Sequence, residues 1–150
     1  MRPWLVSPAM AQLAQQLGEF LRYQTVLGPC LSELAILVTA RFWTSQYEWF
    51  VHAKIAREAG LSETLINAIA SHETPAFTNP AERIVYQAAQ SIHRNHGLDD
   101  ALYAEARNIL GEQGLAELVG VLGYYTLVSM TLNVYGIGVP EGIPAPLKPV

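Results

Sequence analysis

The sequence contains a single cysteine, Cys30, in 150 residues. One thiol cannot form a disulfide within the chain, and it cannot supply the two sulfurs of a Cys-x-x-Cys redox pair or of a zinc knuckle. Chains without disulfides are typical of reducing compartments, so we expect a cytoplasmic protein. Cys30 follows a proline near a predicted helix start, where we expect its side chain to pack against its neighbours.

Charged residues are also scarce, at 15% of the chain, and the net charge at pH 7 is −4. No run of lysine and arginine is present, so we expect no nucleic-acid partner. The apolar content of 51% is sufficient for one large core, which predicts a single domain over residues 1–150. His72, His93 and His96 lack metal-ligand spacing, so we expect them to be solvated and predict no metal site.

A long uncharged run occurs at residues 118–139, and its length would allow it to cross a membrane. The run contains four glycines and several hydroxyl and amide side chains, and no lysine or arginine stands close to either end to anchor it. We therefore predict a helix that is buried in the core or at a subunit interface, and no membrane association. The first residues also lack the pattern of a secretory signal.

Strand-like alternation is absent, and apolar residues recur instead at helical spacing. Proline, glycine and capping residues divide this pattern into seven segments. The predicted helices cover residues 8–23, 31–43, 45–59, 62–71, 80–95, 99–112 and 114–135. A loop is expected at 72–78, and the tail after Gly136, with four prolines, cannot be helical. The sequence thus predicts an all-α, single-domain bundle of about six to seven helices with the apolar second helix at its centre.

The third predicted helix carries an unexpected polar set. Ser45, Glu48 and His52 lie at positions i, i+3 and i+7, so they share one face, and Glu48 can reach His52. That face is otherwise apolar and should be buried. Glu33 is a second acid, in an almost uncharged helix, where an unpaired carboxylate is costly or binds a proton. We predict that Glu33, Glu48 and His52 face each other and carry out proton transfer.

A purely structural interpretation of the same segment is also open. The pattern Ser45-x-x-Glu48 is that of a capping box, in which both side chains bond to backbone amides at a helix start. His52 would then be an ordinary core histidine that bonds to a carbonyl group.

Four neighbouring residues are candidates for substrate binding. Arg41 could hold a substrate carboxylate by a two-pronged bond, or it could form a salt bridge with one of the two glutamates. Tyr47 and Ser45 could donate a hydrogen bond to an enolate oxygen. Trp49 could line a ligand pocket, although aromatic residues in such clusters more often belong to the core.

The residues around this segment resemble a known family. Three stretches are similar to the carboxymuconolactone decarboxylase family, which also contains the alkylhydroperoxidase D (AhpD) type proteins. These stretches are Glu33-Leu34-Ala35-Ile36-Leu37, Ala40-Arg41-x-Trp43-x-x-x-Tyr47-Glu48-Trp49-x-x-His52 and Ile55-Ala56-Arg57-x-Ala59-Gly60-Leu61-Ser62. The resemblance implies an all-helical, AhpD-like fold. It also implies a homo-oligomer, a trimer or a hexamer, in which the long uncharged helix buries against a subunit interface.

The predicted site differs from that of the peroxidases in this family. Their motif is Glu-x11-Cys-x2-Cys-x3-His, and here the same frame holds Glu33, Ser45, Glu48 and His52, with both sulfurs replaced. Dithiol redox chemistry is therefore impossible at this site. The resemblance assigns the glutamate and the histidine of the peroxidases' proton relay to Glu33 and His52.

We therefore expect a cofactor-free lyase or isomerase that acts on a small carboxylated or lactone-like molecule. His52 would exchange the proton while Glu48 or Glu33 orients its ring. Two alternatives remain open. The chain could be a non-catalytic binding or structural member of the family, or Cys30 could make it a one-cysteine peroxidase that depends on an external thiol.

Overall fold

The chain folds as a bundle of α-helices around one central helix. The computed structural model describes residues 2–149, and within that range it has no β-strand. A short 3-10 helix, Arg2–Val6, precedes six α-helices, which are α1 (Pro8–Tyr23), α2 (Gly28–Phe42), α3 (Gln46–Glu58), α4 (Glu63–Ala70), α5 (Pro80–Asn95) and α6 (Asp100–Val134). The predicted all-α class is confirmed.

Three helices begin with the side-chain caps that the sequence predicts. Ser62, Asn79 and Asp99 precede α4, α5 and α6, and each accepts a hydrogen bond from a backbone amide of the first turn, at 3.2, 2.9 and 2.8 Å. These bonds satisfy amides that have no partner inside the helix. α2 begins at Gly28, three residues before the predicted start, because Pro29 occupies its first turn rather than ending the preceding segment.

The predicted sixth and seventh helices run on as one element, α6, which is interrupted only at Gly111. Gly111 has φ 75° and ψ 170°, a conformation that residues with a Cβ rarely adopt. The sequence pattern predicted the division two to three residues later, next to Gly114. Gly114 is instead buried within the second part of the helix.

α6 is long and apolar enough, by length and composition alone, to cross a membrane. Half of its most apolar 18-residue window is buried inside the bundle, as in a core helix. The helix ends at Val134, so the uncharged run of residues 118–139 is not a single helix. These observations agree with the predicted burial of this run.

α2 is the central helix, as predicted. Residues 32–41 are all buried, and the helix packs against α3, α5, α6 and α4. Leu34, Ile36 and Leu37 have 1% or less of their surface exposed. Because every side of α2 is covered, its two charged side chains, Glu33 and Arg41, must find their partners inside the protein.

The C-terminal tail returns to the corner between α2 and α3. The side-chain amide of Gln46 donates to the carbonyl of Leu147 at 2.8 Å, and its oxygen accepts from the amide of the same residue at 2.9 Å. The side chain of Leu147 is buried. Arg41 donates from Nη2 to the carbonyl of Lys148 at 3.0 Å, so the tail is attached to both site-bearing helices.

Candidate functional site

The turn between α2 and α3 decides where the predicted polar residues point. Thr44 adopts a left-handed conformation, with φ 47°. Its amide donates to the carbonyl of Arg41 at 3.1 Å, and the amide of Ser45 donates to the carbonyl of Ala40 at 2.8 Å. This pair of bonds is a Schellman motif, which ends α2 and leaves three residues before the start of α3.

The same bonds exclude the capping-box interpretation. In a capping box Glu48 would accept a hydrogen bond from the amide of Ser45, but that amide is already bonded to Ala40. The hydroxyl of Ser45 makes no cap bond either, and it is buried without a partner among the described residues. The carboxylate of Glu48 is therefore not used at the helix start.

His52 is buried between two carboxylates. Its Nδ1 lies 2.7 Å from Oε2 of Glu33, and its Nε2 lies 3.4 Å from Oε2 of Glu48. Glu33, Glu48 and His52 are 5%, 6% and 4% exposed. The structure thus brings together the three residues that the sequence predicts to meet.

The two contacts of His52 differ in kind. An ionised carboxylate can only accept, so with Glu33 ionised the Nδ1 atom carries the hydrogen of the 2.7 Å bond. This bond fixes the plane of the ring and the tautomer. The longer approach to Glu48 is not a good hydrogen bond, and Oε2 of Glu48 has no hydrogen-bond partner among residues 2–149.

Burial raises the pKa of Glu48 above the ordinary value for glutamate, and the negative charge of Glu33 adds to the increase. The charges of His52 and Arg22 oppose it. The carboxyl group of Glu48 is thus shifted toward the protonated form, in which it can donate as well as accept a proton.

Glu48 and His52 line a cavity of about 580 Å³. These two residues of α3 form one wall. Gln15, Gly18 and Arg22 of α1, together with Trp4 of the 3-10 helix, form a second wall. The remaining wall is the part of α6 around Tyr124 and Tyr125. A volume in this range is typical of pockets for small organic molecules.

Two tyrosines of α6 line the cavity. The ring of Tyr125 packs edge-on against the ring of His52, with centroids 5.0 Å apart, and Tyr124 packs against Tyr125 in the same way at 5.2 Å. Burial raises the pKa of both hydroxyls, so they stay protonated at neutral pH and are able to donate.

Gly18 of α1 makes the position of Tyr124 possible. A Cβ atom at residue 18 would lie 2.2 Å from the hydroxyl oxygen of Tyr124, well inside contact distance. The absence of a side chain on α1 therefore gives the tyrosine hydroxyl its place at the cavity.

The four predicted substrate-binding residues do not line this cavity. Arg41 donates from Nε to His72 at 2.7 Å and from Nη2 to the tail, so it neither faces a substrate site nor pairs with a glutamate. Ser45 is fully buried, and Tyr47 is 36% exposed on the outer side of α3. Trp49 is buried and borders a second groove on α3 instead. The reason differs among them. Arg41 lies on α2 and Ser45 lies before the first turn of α3, whereas the helical rotation of 100° per residue turns Tyr47 and Trp49 away from the direction of Glu48.

We expected the three other histidines to be solvated, and among them only His93 is partly buried. His72 accepts the hydrogen bond from Arg41, and His93 stacks on Phe42 and lies 3.0 Å from the hydroxyl of Thr39. His96 is exposed at the end of α5. Within residues 2–149 no group of three or more potential ligands could hold a metal ion.

Cys30 lies outside the cavity, half-buried near the start of α2. Burial raises the pKa of its thiol, and the carboxylate of Glu82, 3.8 Å away, raises it further. Since the thiolate is the reactive form, this environment makes Cys30 a poor nucleophile.

Arg22, Tyr124 and Tyr125 are the cavity residues that sequence reasoning missed. A weak signal was present in α1, where Gln15, Gly18 and Arg22 recur at i, i+3 and i+7 and form a polar face opposite an apolar one. No comparable signal marks the tyrosines, because they lie within a long apolar segment.

The fold and the site together define an all-helical protein with a buried Glu–His pair and no resolving cysteine. Residues 8–91, more than half of the chain, match the model of the carboxymuconolactone decarboxylase family, and the chain belongs to that family. A comparison with curated protein sequences gives no significant match.

A solved structure has the same fold. It is the crystal structure of a protein of unknown function from Agrobacterium tumefaciens, described as a candidate antioxidant defence protein AhpD. The two are 16% identical, the match covers 93% of this chain and 97% of the other, and the TM-score is 0.81. At this identity the similarity establishes the AhpD-like fold alone.

Proposed function

We propose that the protein is a cofactor-free lyase or isomerase in which His52 exchanges a proton with a carbon atom of a small carboxylated or lactone-like molecule. One observation carries the proposal: a buried imidazole has a carboxylate at each ring nitrogen and opens onto a cavity of about 580 Å³. Burying a charged group costs stability, so two carboxyl groups on opposite sides of one buried imidazole are better explained by a chemical role than by a structural one.

The proposed chemistry uses each group once. When the substrate loses carbon dioxide, the broken carbon–carbon bond leaves its electron pair on the remaining fragment, delocalised as an enolate. The proton on Nε2 of His52, or that of Glu48, is transferred to the carbon, and water later restores it. Glu33 accepts the hydrogen bond from Nδ1 and holds the ring of His52 in place.

The enolate oxygen requires a hydrogen-bond donor while the charge develops. The hydroxyl of Tyr124 is suited to this role, because it lines the cavity and its raised pKa keeps it protonated. Tyr124 thus replaces Arg41, Tyr47 and Ser45 as the proposed donor. An isomerase would use the same groups, with His52 first removing a proton and then returning it to another carbon.

The peroxidase alternative is weaker. The chain has one cysteine, so no second sulfur is present to resolve an oxidised thiol, and the environment of Cys30 disfavours the thiolate.

The test compares two matched histidine variants. His52→Asn removes the titratable ring but keeps an amide that can donate to Glu33, and His96→Asn makes the same change at the exposed end of α5. Each protein is incubated in D2O with a panel of small β-keto acids and carboxylated lactones, and NMR records decarboxylation and deuterium incorporation. We expect His52→Asn to lower the rate on the order of a hundredfold or more, and His96→Asn to leave it unchanged.

A peroxide assay with added dithiothreitol completes the test. Turnover of peroxide that disappears in Cys30→Ala and survives in His52→Asn would refute the proposal and identify a one-cysteine peroxidase. If the unchanged protein binds members of the panel and turns over none of them, the non-catalytic binder is the better account.

A further inference from the structure

The cavity contains one guanidinium group, that of Arg22 on α1. The other charged residues that line it are Glu19 and Glu48, so the wall formed by α1 carries the only fixed positive charge among the described lining residues. His52 is the only other lining residue that can become positive. A ligand with a negative group therefore has one place in the cavity where that group is stabilised.

Arg22 is not engaged elsewhere. It makes no hydrogen bond or ion pair with any residue between 2 and 149, and its Cζ lies over the ring of Tyr23, 5.1 Å from the ring centroid. In contrast, Arg57, Arg83 and Arg107 each pair with a glutamate. The planar donors of Arg22 are thus available for a ligand.

The charge of Arg22 acts on the groups at the proton-transfer side of the cavity. It lowers the pKa of Glu48 against the opposing effect of burial, and it does the same for both tyrosines of α6. Arg22 and His52 line the same cavity, so one ligand in it can contact both residues. α1 packs on α6 and α2, so Arg22 approaches this ligand from a different wall than α3 does.

We propose that Arg22 is the specificity-determining residue of the cavity and binds the carboxylate of a cyclic organic acid by a two-pronged hydrogen bond. The inference rests on the proposed function for the identity of the site, and it assigns to Arg22 the role that the sequence analysis gave to Arg41. A cyclic body fits the remaining walls, where the rings of Trp4, Tyr124 and Tyr125 offer flat apolar contacts.

The test uses benzoate and benzamide, which share a ring and differ in the charge of one group. Neither undergoes proton exchange at carbon, so binding is measured without chemistry, by calorimetry or by NMR titration. We expect the unchanged protein to prefer benzoate. Arg22→Gln should weaken benzoate binding about 10- to 100-fold and change benzamide binding by no more than about twofold.

Two further variants separate recognition from structure. Arg22→Lys retains the charge but not the planar fork, so it should recover part of the preference for benzoate. Arg107→Gln removes the same charge from an exposed arginine of α6 and should bind both probes as the unchanged protein does. Circular dichroism and thermal unfolding verify that each variant is folded.

The inference is overturned if the unchanged protein binds benzoate no better than benzamide, or if Arg22→Gln weakens both probes equally. Turnover of a carboxylated compound that Arg22→Gln leaves unchanged would overturn the inference and retain the proposed function. An Arg22-dependent preference for benzoate without any turnover would retain the inference and overturn the proposed function.

Discussion

In the proposed mechanism, Glu48 is the residue at which stability and function oppose each other. The residue is 6% exposed, and one of its carboxyl oxygens lacks a hydrogen-bond partner among the described residues. A neutral amide of the same shape would avoid the cost of burying a charge, yet it could not exchange a proton. Active-site residues commonly lower stability in this way.

We predict that Glu48→Gln raises the free energy of unfolding at pH 7 by about 0.5–2 kcal/mol and strongly lowers activity. The pKa of Glu48 is higher in the folded chain than the ordinary value of 4.5. Between these two values the folded protein binds a proton that the unfolded chain lacks, so its stability increases as the pH falls. Urea unfolding from pH 4.5 to 8 should show this component in the unchanged protein and not in the variant.

Glu58→Gln is the matched control, because Glu58 lies on the same helix with its side chain 65% exposed. We expect it to alter stability by no more than about 0.5 kcal/mol. A Glu48→Gln variant that is less stable than the unchanged protein at pH 7 would show that the carboxylate is a net stabilising partner of His52.

The sequence was sufficient to predict that Glu33, Glu48 and His52 meet, because polar side chains on an otherwise apolar helix face are energetically unusual. It was not sufficient for Arg22 or Tyr124. Their place at the cavity depends on how α1 packs against α6, which includes the contact of Gly18 with the tyrosine ring. The pattern of polar and apolar residues within one helix does not indicate how that helix packs against another.

At the level of elements, four helices end with the same motif. A residue in the left-handed conformation follows each of α2, α3, α4 and α6, and two backbone bonds close the turn around it. The residues in this position are Thr44, Gly60, His72 and Gly136. The sequence predicted the ends at the two glycines, whereas threonine and histidine are not the usual residues at this position and give no such signal.

Thr44 is β-branched, and the left-handed conformation costs a residue with a Cβ about 1–2 kcal/mol. We predict that Thr44→Gly removes this strain and, after the larger entropy loss of glycine on folding, raises the free energy of unfolding by about 0.5–1 kcal/mol. Chemical denaturation monitored by circular dichroism is a suitable measurement.

Thr44→Ala serves as the comparison because alanine retains the Cβ atom. It should yield no gain in stability. An equal gain in both variants would indicate that the threonine side chain, rather than its backbone conformation, is unfavourable at this turn.

At the level of the whole molecule, apolar side chains remain on the surface. On α1 they form a stripe at helical spacing, in which Met10, Leu13, Leu17 and Phe20 are 41%, 68%, 48% and 37% exposed. The polar side of the same helix faces the cavity. The predicted homo-oligomer is thus more readily accommodated on the outer face of α1 than on α6, much of which is already covered within the chain.

We predict that the purified protein is a multimer at micromolar concentration and that Leu13→Lys with Leu17→Lys shifts it toward the monomer. Size-exclusion chromatography with light scattering measures the mass. Val119→Lys places the same charge on an exposed apolar site of α6, and it should leave the assembly intact. An unchanged protein that elutes as a stable monomer would contradict the prediction.

The contacts made by the two chain ends have a consequence for synthesis. Gln46 and Leu147 are 101 positions apart, and Trp4 donates to the hydroxyl of Thr131 across 127 positions. A nascent chain on the ribosome cannot form these two contacts before residues 147 and 131, respectively, have been translated. The corner that holds Glu48 and His52, and the cavity wall that includes Trp4, are therefore completed by segments far along the chain, so a translation product that stops before residue 131 has no finished site.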